Sequence, residues 1–222
     1  MILEGIVTTL SPEGAINIAP MGVLVSDEGL VASSKESPEG PHDSPLTTPR
    51  LTTRQSPHFL LRPYQTARTY QNLKQHPEGV LHITDDVLLL ARAAIGLDHP
   101  LPSLAPAKCV RGSVLKDCCR YFEFCVEEFE DSSERADLHT RLMYSRSVRD
   151  FFGFNRAKHA VVEAAILATR VAFLPLDEIS AEFARLETIV RKTGGSQEWQ
   201  AFCLLAEHVS AATKQKLAGA AR

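Results

Sequence analysis

Apolar and polar residues alternate along residues 2–9 and 15–25, the two-residue period of strands with one buried face. Between them, Ser11-Pro12-Glu13-Gly14 supplies the fixed and permissive backbone angles of a tight turn, so the chain is expected to open with a hairpin. Further on, the pattern predicts a short strand at HFLLRP, a helix over 66–75, a strand over 79–84 and a helix over 85–95. Strands follow near 110–115, 120–128 and 136–145. After Asn155 the apolar period lengthens to that of helices, over about 156–173, 177–193 and 196–216, with Pro175 and Gly194-Gly195 as separators. Many mostly antiparallel strands with few short helices predict a mainly β chain with α, a barrel followed by a C-terminal helical segment. No repeat and no sustained heptad run interrupts this order.

Two stretches break the pattern. Residues 33–57 are rich in Ser, Pro, Thr, Glu and Gly, too poor in large apolar groups to offset ordering entropy, and are expected to form a mobile insertion. Residues 100–106 are Pro-rich and read as a linker. The expected organisation is a barrel domain over 1–150 and a helical segment over 151–222 that packs on the barrel or on a dimer partner.

Charge changes the picture mainly by exclusion. With 24 Lys and Arg against 27 Asp and Glu, the net charge is -3, and nothing global attracts the chain to nucleic acid or an anionic membrane. MILEGIVTTL lacks a basic leader and alternates, and the apolar stretch over 160–176 is broken by Glu163 and Arg170, so a cytoplasmic chain with no membrane span is expected. The 5 cysteines show no C-x-x-C pair, which argues against a disulfide framework or a zinc site. Cys118 and Cys119 read as neighbours within a strand, facing opposite sides.

Candidate chemistry gathers at four places. In Asn155-Arg156-Ala157-Lys158-His159, Asn155 reads as a helix N-cap, while Arg156 and Lys158 crowd a helix start that already carries about half a positive charge. An anion would relieve that conflict, as would pairing with Asp150 or Glu163. Arg62-Pro63-Tyr64-Gln65-Thr66-Ala67-Arg68-Thr69-Tyr70-Gln71-Asn72 offers guanidinium forks, hydroxyls and helix-start amides suited to phosphate, or simply a helix capped by Thr66. Asn17-Ile18-Ala19-Pro20-Met21-Gly22 reads as a strand end where Gly22 permits close approach to a flat ligand, or only as a strand end. His82-Ile83-Thr84-Asp85-Asp86 sets polar groups at another strand end, with Asp85 as a helix cap; metal binding there is disfavoured, since no second histidine lies at ligand spacing. The nucleophile elbow, Walker loop, dinucleotide fingerprint and zincin motif are all missing.

MILEGIVTT, NIAPMG, FLLRPYQTARTYQNL, GVLHITDDVLLLARAA, CRYFEF and RDFFGFNRAKHAVVEAAILATR, in that order, resemble the domain-of-unknown-function family 447. That family is similar to the FMN-binding split-barrel, flavin-reductase-like superfamily. The resemblance implies an FMN-binding split β-barrel that works as a homodimer, with flavin near the subunit interface. On matching positions, Arg62, Thr66, Thr69 and Asn72 would contact the phosphate, and Asn17, Ala19, Pro20, Met21 and Gly22 would approach the ring. Asn155, Arg156 and Lys158 would close the site or receive an anionic substrate.

The expected function is an FMN-dependent oxidoreductase acting on a small molecule, with NAD(P)H or another donor reducing the flavin. Flavin carries the hard chemistry, so the absence of an acid/base motif is no objection. The alternative is a non-catalytic protein that stores or senses flavin. The resemblance alone also raises an acceptor in pterin-linked one-carbon metabolism.

Overall fold

The computed structural model describes residues 1–25, 58–97 and 100–220, without the side chains of 217–220. The expected insertion at 33–57 lies outside the described residues.

Strands β1 (Ile2–Leu10) and β2 (Ile16–Val25) form the opening hairpin, in register from Ile2 opposite Leu24 to Leu10 opposite Ile16. Gly14 takes φ 87°, the left-handed value its turn needs and other residues resist. Then come β3 (Phe59–Leu61), α1 (Arg68–Gln75), β4 (Glu78–Ile83), α2 (Val87–Ala94), β5 (Leu104–Pro106), β6 (Ser113–Leu115), β7 (Arg120–Glu130) and β8 (Asp137–Ser147). Six strands close into an antiparallel barrel in the order β1-β2-β3-β8-β7-β4, while β5 and β6 pair apart from it. Three helices complete the chain: α3 (Arg156–Thr169), α4 (Leu176–Thr193) and α5 (Ser196–Ala220).

Alternation along the strands builds two cores. Val7, Val23, Leu61, Leu81, Phe124 and Leu138 fill the barrel, and Tyr70 and Leu73 of α1 join them. The ring of Phe124 lies over Gly79, its register partner, where a Cβ would meet it at 2.6 Å. Neighbouring positions face the other way: Ile6 and Val80 pack with α2, α3, α4 and α5 into one continuous apolar layer. The C-terminal helices therefore bury a face of the barrel wall. Among the described residues, no helix is long and apolar enough to cross a membrane.

The structure corrects four local expectations. β2 runs to Val25, as the alternation over 15–25 predicts, so residues 17–22 lie within the strand and are not a strand end. Proline is tolerated within it because β3 pairs with Val23–Val25 and, among the described residues, no strand lies along the outer edge of β2 over residues 16–22. Cys118 and Cys119 lie between β6 and β7 rather than in a strand, both buried, and desolvation pushes both thiols above their ordinary range. The linker over 100–106 ends in strand β5, and β6 begins only at Ser113. Asp86, not Asp85, caps α2, accepting from the backbone N–H groups of Leu88 and Leu89 at 3.1 and 3.0 Å.

Candidate functional site

The residues singled out in the sequence divide into two corners, one at the start of α1 and one at the start of α3. At the first, the Asn17 amide donates to Thr69 Oγ1 at 3.1 Å and to Thr9 Oγ1 at 3.4 Å. The Asn72 amide donates to the same Thr9 oxygen at 3.0 Å. This chain of amides and hydroxyls ties the first turn of α1 to the start of the unpaired edge of β2. Thr9, Thr69 and Asn72 are all buried, so their side chains position the corner. Thr66 is exposed just before it, and its hydroxyl has no partner among the described residues. Helix α1 has Ala67 at its N-cap without a side-chain cap and no acid in its first turn, so its start keeps the positive potential of a helix N-terminus.

Arg62 is drawn elsewhere. Its Nε lies 2.7 Å from Asp137 Oδ1, an exposed ion pair between the ends of β3 and β8. Along β2, alternation separates the expected ring contacts. Met21 packs against the barrel core, on the side of Asn17 and Ala19; Ile18 packs on the helical layer, on the side of Pro20 and Gly22. One flat ligand therefore meets the two sets only along the strand edge they share. On the outer side, the Glu4 carboxylate lies against Gly22, and burial, then Glu163 of α3, pushes its pKa above the usual carboxylate range.

At the second corner the expected N-cap is present: Asn155 Oδ1 accepts from the Lys158 backbone N–H at 3.1 Å, and its amide donates to the Thr193 carbonyl at 3.2 Å. Lys158 Nζ lies 3.0 Å from Glu198 and donates to the Asp85 carbonyl at 2.6 Å. The crowded charge is thus balanced by an acid on α5, neither Asp150 nor Glu163. Burial raises the Glu198 pKa, but the Gly195 N–H and Lys158 outweigh it and hold the carboxyl below its ordinary value. Arg149 adds a clasp beside it, reaching Asp85 at 2.5 Å and Asp117 at 2.8 Å. This corner joins barrel and helices. Arg156, by contrast, is exposed with no partner among the described residues and lines a groove between α3 and α4.

His82, Asp85 and Asp86 do not gather around a common point. His82 Nδ1 donates to the Ile6 carbonyl at 3.1 Å, and its Nε2 accepts from the Leu115 N–H at 3.1 Å, which requires the neutral ring. Burial lowers its pKa to about 4, although the bond to Ile6 acts the other way. The sequence reading also missed Glu123, fully buried and accepting from the N–H groups of Lys108, Cys109 and Val110. Its signal was an acid at a strand position on the face turned away from the barrel core, beside Tyr121 and opposite Val80.

The family described as protein of unknown function (DUF447) matches the chain twice, its N-terminal domain over residues 44–149 and a second part over residues 155–207. Among solved structures, an FMN-bound DUF447 protein of Methanosarcina mazei is similar at 17% identity and a TM-score of 0.71, over 93% of this chain and 94% of that one. That likeness establishes the same fold across the barrel and the helical segment. An FMN-binding protein of Thermus thermophilus, solved with 1-cyclohex-2-enone, is 10% identical at a TM-score of 0.47, covering 66% and 70%. A nitrilotriacetate monooxygenase component B of Mycobacterium thermoresistibile is 11% identical at 0.46, covering 65% and 68%. No curated protein matches the sequence.

Proposed function

The chain belongs to the DUF447 family, and from that membership and the geometry of the α1 corner we propose that it binds FMN and serves as a flavin-dependent oxidoreductase for a small molecule. The observation that carries the reading is the Asn17–Thr69 contact, which sets an uncapped helix start beside the unpaired edge of β2. Phosphate suits the first, since helix-start N–H groups and the Thr66 hydroxyl donate to its oxygens. A planar ring with donors and acceptors along its rim suits the second, where, among the described residues, the outer edge of residues 16–22 has no strand partner. The FMN carried by a family member of the same fold supports the assignment.

Bound there, FMN would supply hydride and electron transfer. The chain's own part is to hold the phosphate, orient the ring along β2 and keep water from one face of it. In this reading residues 1–150 hold the flavin and residues 151–222 brace the barrel wall. Thr69, Asn72 and Asn17 are positioning residues, and Arg62 contributes through Asp137 alone. The working unit is a homodimer: exposed Ile2, Met143 and Val148 are apolar side chains a second copy would cover. NADH or NADPH is the proposed donor. A pterin acceptor rests on the family resemblance alone.

The test is the visible spectrum of the purified protein, mass spectrometry of the released ligand, and anaerobic mixing with NADH and NADPH. FMN identified in the protein, and bleached while bound by either nucleotide, supports an oxidoreductase. Failure to bind added FMN overturns the proposal, and bound FMN that neither nucleotide nor another electron donor reduces overturns the catalytic part. Sedimentation velocity checks the dimer.

A further inference from the structure

The groove between α3 and α4 is a separate feature that flavin binding at the α1 corner does not use. It has a volume of about 280 Å³ and is open to solvent. Ala160, Leu186 and Ile189 give it an apolar floor, and Phe154 stands at its mouth. The Phe154 ring is 93% exposed and meets the edge of the His159 ring at a centroid distance of 5.9 Å, an aromatic face held out to water.

Its charges are arranged by position. Arg156 sits at one end, at the positive start of α3, and has no acidic partner among the described residues. Lys158, two residues on, is balanced by Glu198, and Arg185 on the opposite wall is engaged by Glu182 at 2.7 Å. Glu163 lies at the other end, two helical turns from Arg156 or about 10 Å along the axis. It acts on both Glu4 and Arg185. The groove therefore presents one uncompensated cation, an apolar floor and a far end that repels a second negative charge.

We propose that this groove is a binding site for a small planar monocarboxylate. Its carboxylate pairs with the Arg156 guanidinium, its ring lies on Ala160, Leu186 and Ile189, and Phe154 covers the ring from the mouth. A volume of about 280 Å³ holds a one-ring or two-ring body, at the small end of ligand cavities. An Arg–carboxylate fork is the geometry the site offers, and a dianion is disfavoured by Glu163.

The test is saturation-transfer NMR and a titration of the full-length protein with benzoate, benzamide and terephthalate, repeated on Arg156→Gln and Phe154→Ala. Arg156 and Phe154 are exposed, so thermal melts of both variants should match the parent, and Glu163→Gln provides a third variant at the far end. Benzoate is expected to bind at least about tenfold more tightly than benzamide or terephthalate. Arg156→Gln should erase the preference over benzamide, Phe154→Ala should weaken benzoate and benzamide alike, and Glu163→Gln should improve terephthalate. Absence of benzoate binding up to about 10 mM overturns the proposal. Equal affinity for benzoate and benzamide, or an unchanged benzoate affinity in Arg156→Gln, does the same.

Discussion

Two helix starts in this chain look alike in composition and differ in what surrounds them. α3 opens with Arg156 and Lys158 behind an asparagine cap, and α1 opens with Arg68 and Thr69 behind an alanine. At α3, Asn155 satisfies an amide, Glu198 takes Lys158, and the helix start becomes a joint between barrel and helical layer. At α1 no side-chain cap forms among the described residues, and the nearby hydrogen bonds fix its place against β2. Basic residues mark where an anion is welcome only after their partners have been counted.

The comparison is broken most forcefully at the joint. Lys158→Met leaves Glu198, 7% exposed, without its cation and should cost about 3 kcal/mol or more in a urea unfolding curve. A loss below about 1 kcal/mol would show that Lys158 is not a fastening and is free to serve an anion.

His82 provides the next largest effect. Its folded pKa of about 4 lies below the ordinary 6.5, so the unfolded chain binds the extra proton first. The stability it contributes is complete above pH 6.5 and is lost as pH falls toward 4, by roughly 3 kcal/mol. Unfolding curves across that window, compared with His82→Gln, should show the slope in the parent and a shallower one in the variant. Asp85 and Glu198, whose carboxyls are held below their ordinary values of 3.8 and 4.5, begin to lose their contributions at the acid end of that window and lose the rest below it.

Smaller effects are expected at α1. Asn17→Ala removes the bond that joins Thr69 to β2 and should cost about 1–2 kcal/mol of stability while weakening FMN binding, both measured on one preparation. Arg62→Ala, which breaks only an exposed ion pair, should change FMN affinity by less than about a factor of two, corresponding to under about 0.4 kcal/mol.

Much of the fold was legible because its strands alternate cleanly and its breaks fall at turn residues. The opening hairpin, the eight-residue α1 and the three C-terminal helices fall close to where period and punctuation put them. Pro20 sits harmlessly inside β2 because, among the described residues, no strand lies along its outer edge there, a tertiary fact. The site was less legible. The sequence named Asn17, Thr69 and Asn72 but not their mutual bonds, which turn contacts into supports. It offered Asp150 and Glu163 as partners for Lys158, yet the true one, Glu198, lies 40 residues away, on a helix whose facing depends on packing. For the same reason Leu186 and Ile189 of α4 carried no sign of the groove they floor.

The most direct test compares FMN with riboflavin, which lacks the phosphate, by flavin fluorescence titration of the parent, Thr66→Ala and Arg156→Ala. The account predicts that Thr66→Ala loses about tenfold in FMN affinity with riboflavin unchanged, while Arg156→Ala keeps the full preference for FMN. If Arg156→Ala instead abolishes that preference and Thr66→Ala retains it, the phosphate is held at α3 and the central claim is wrong.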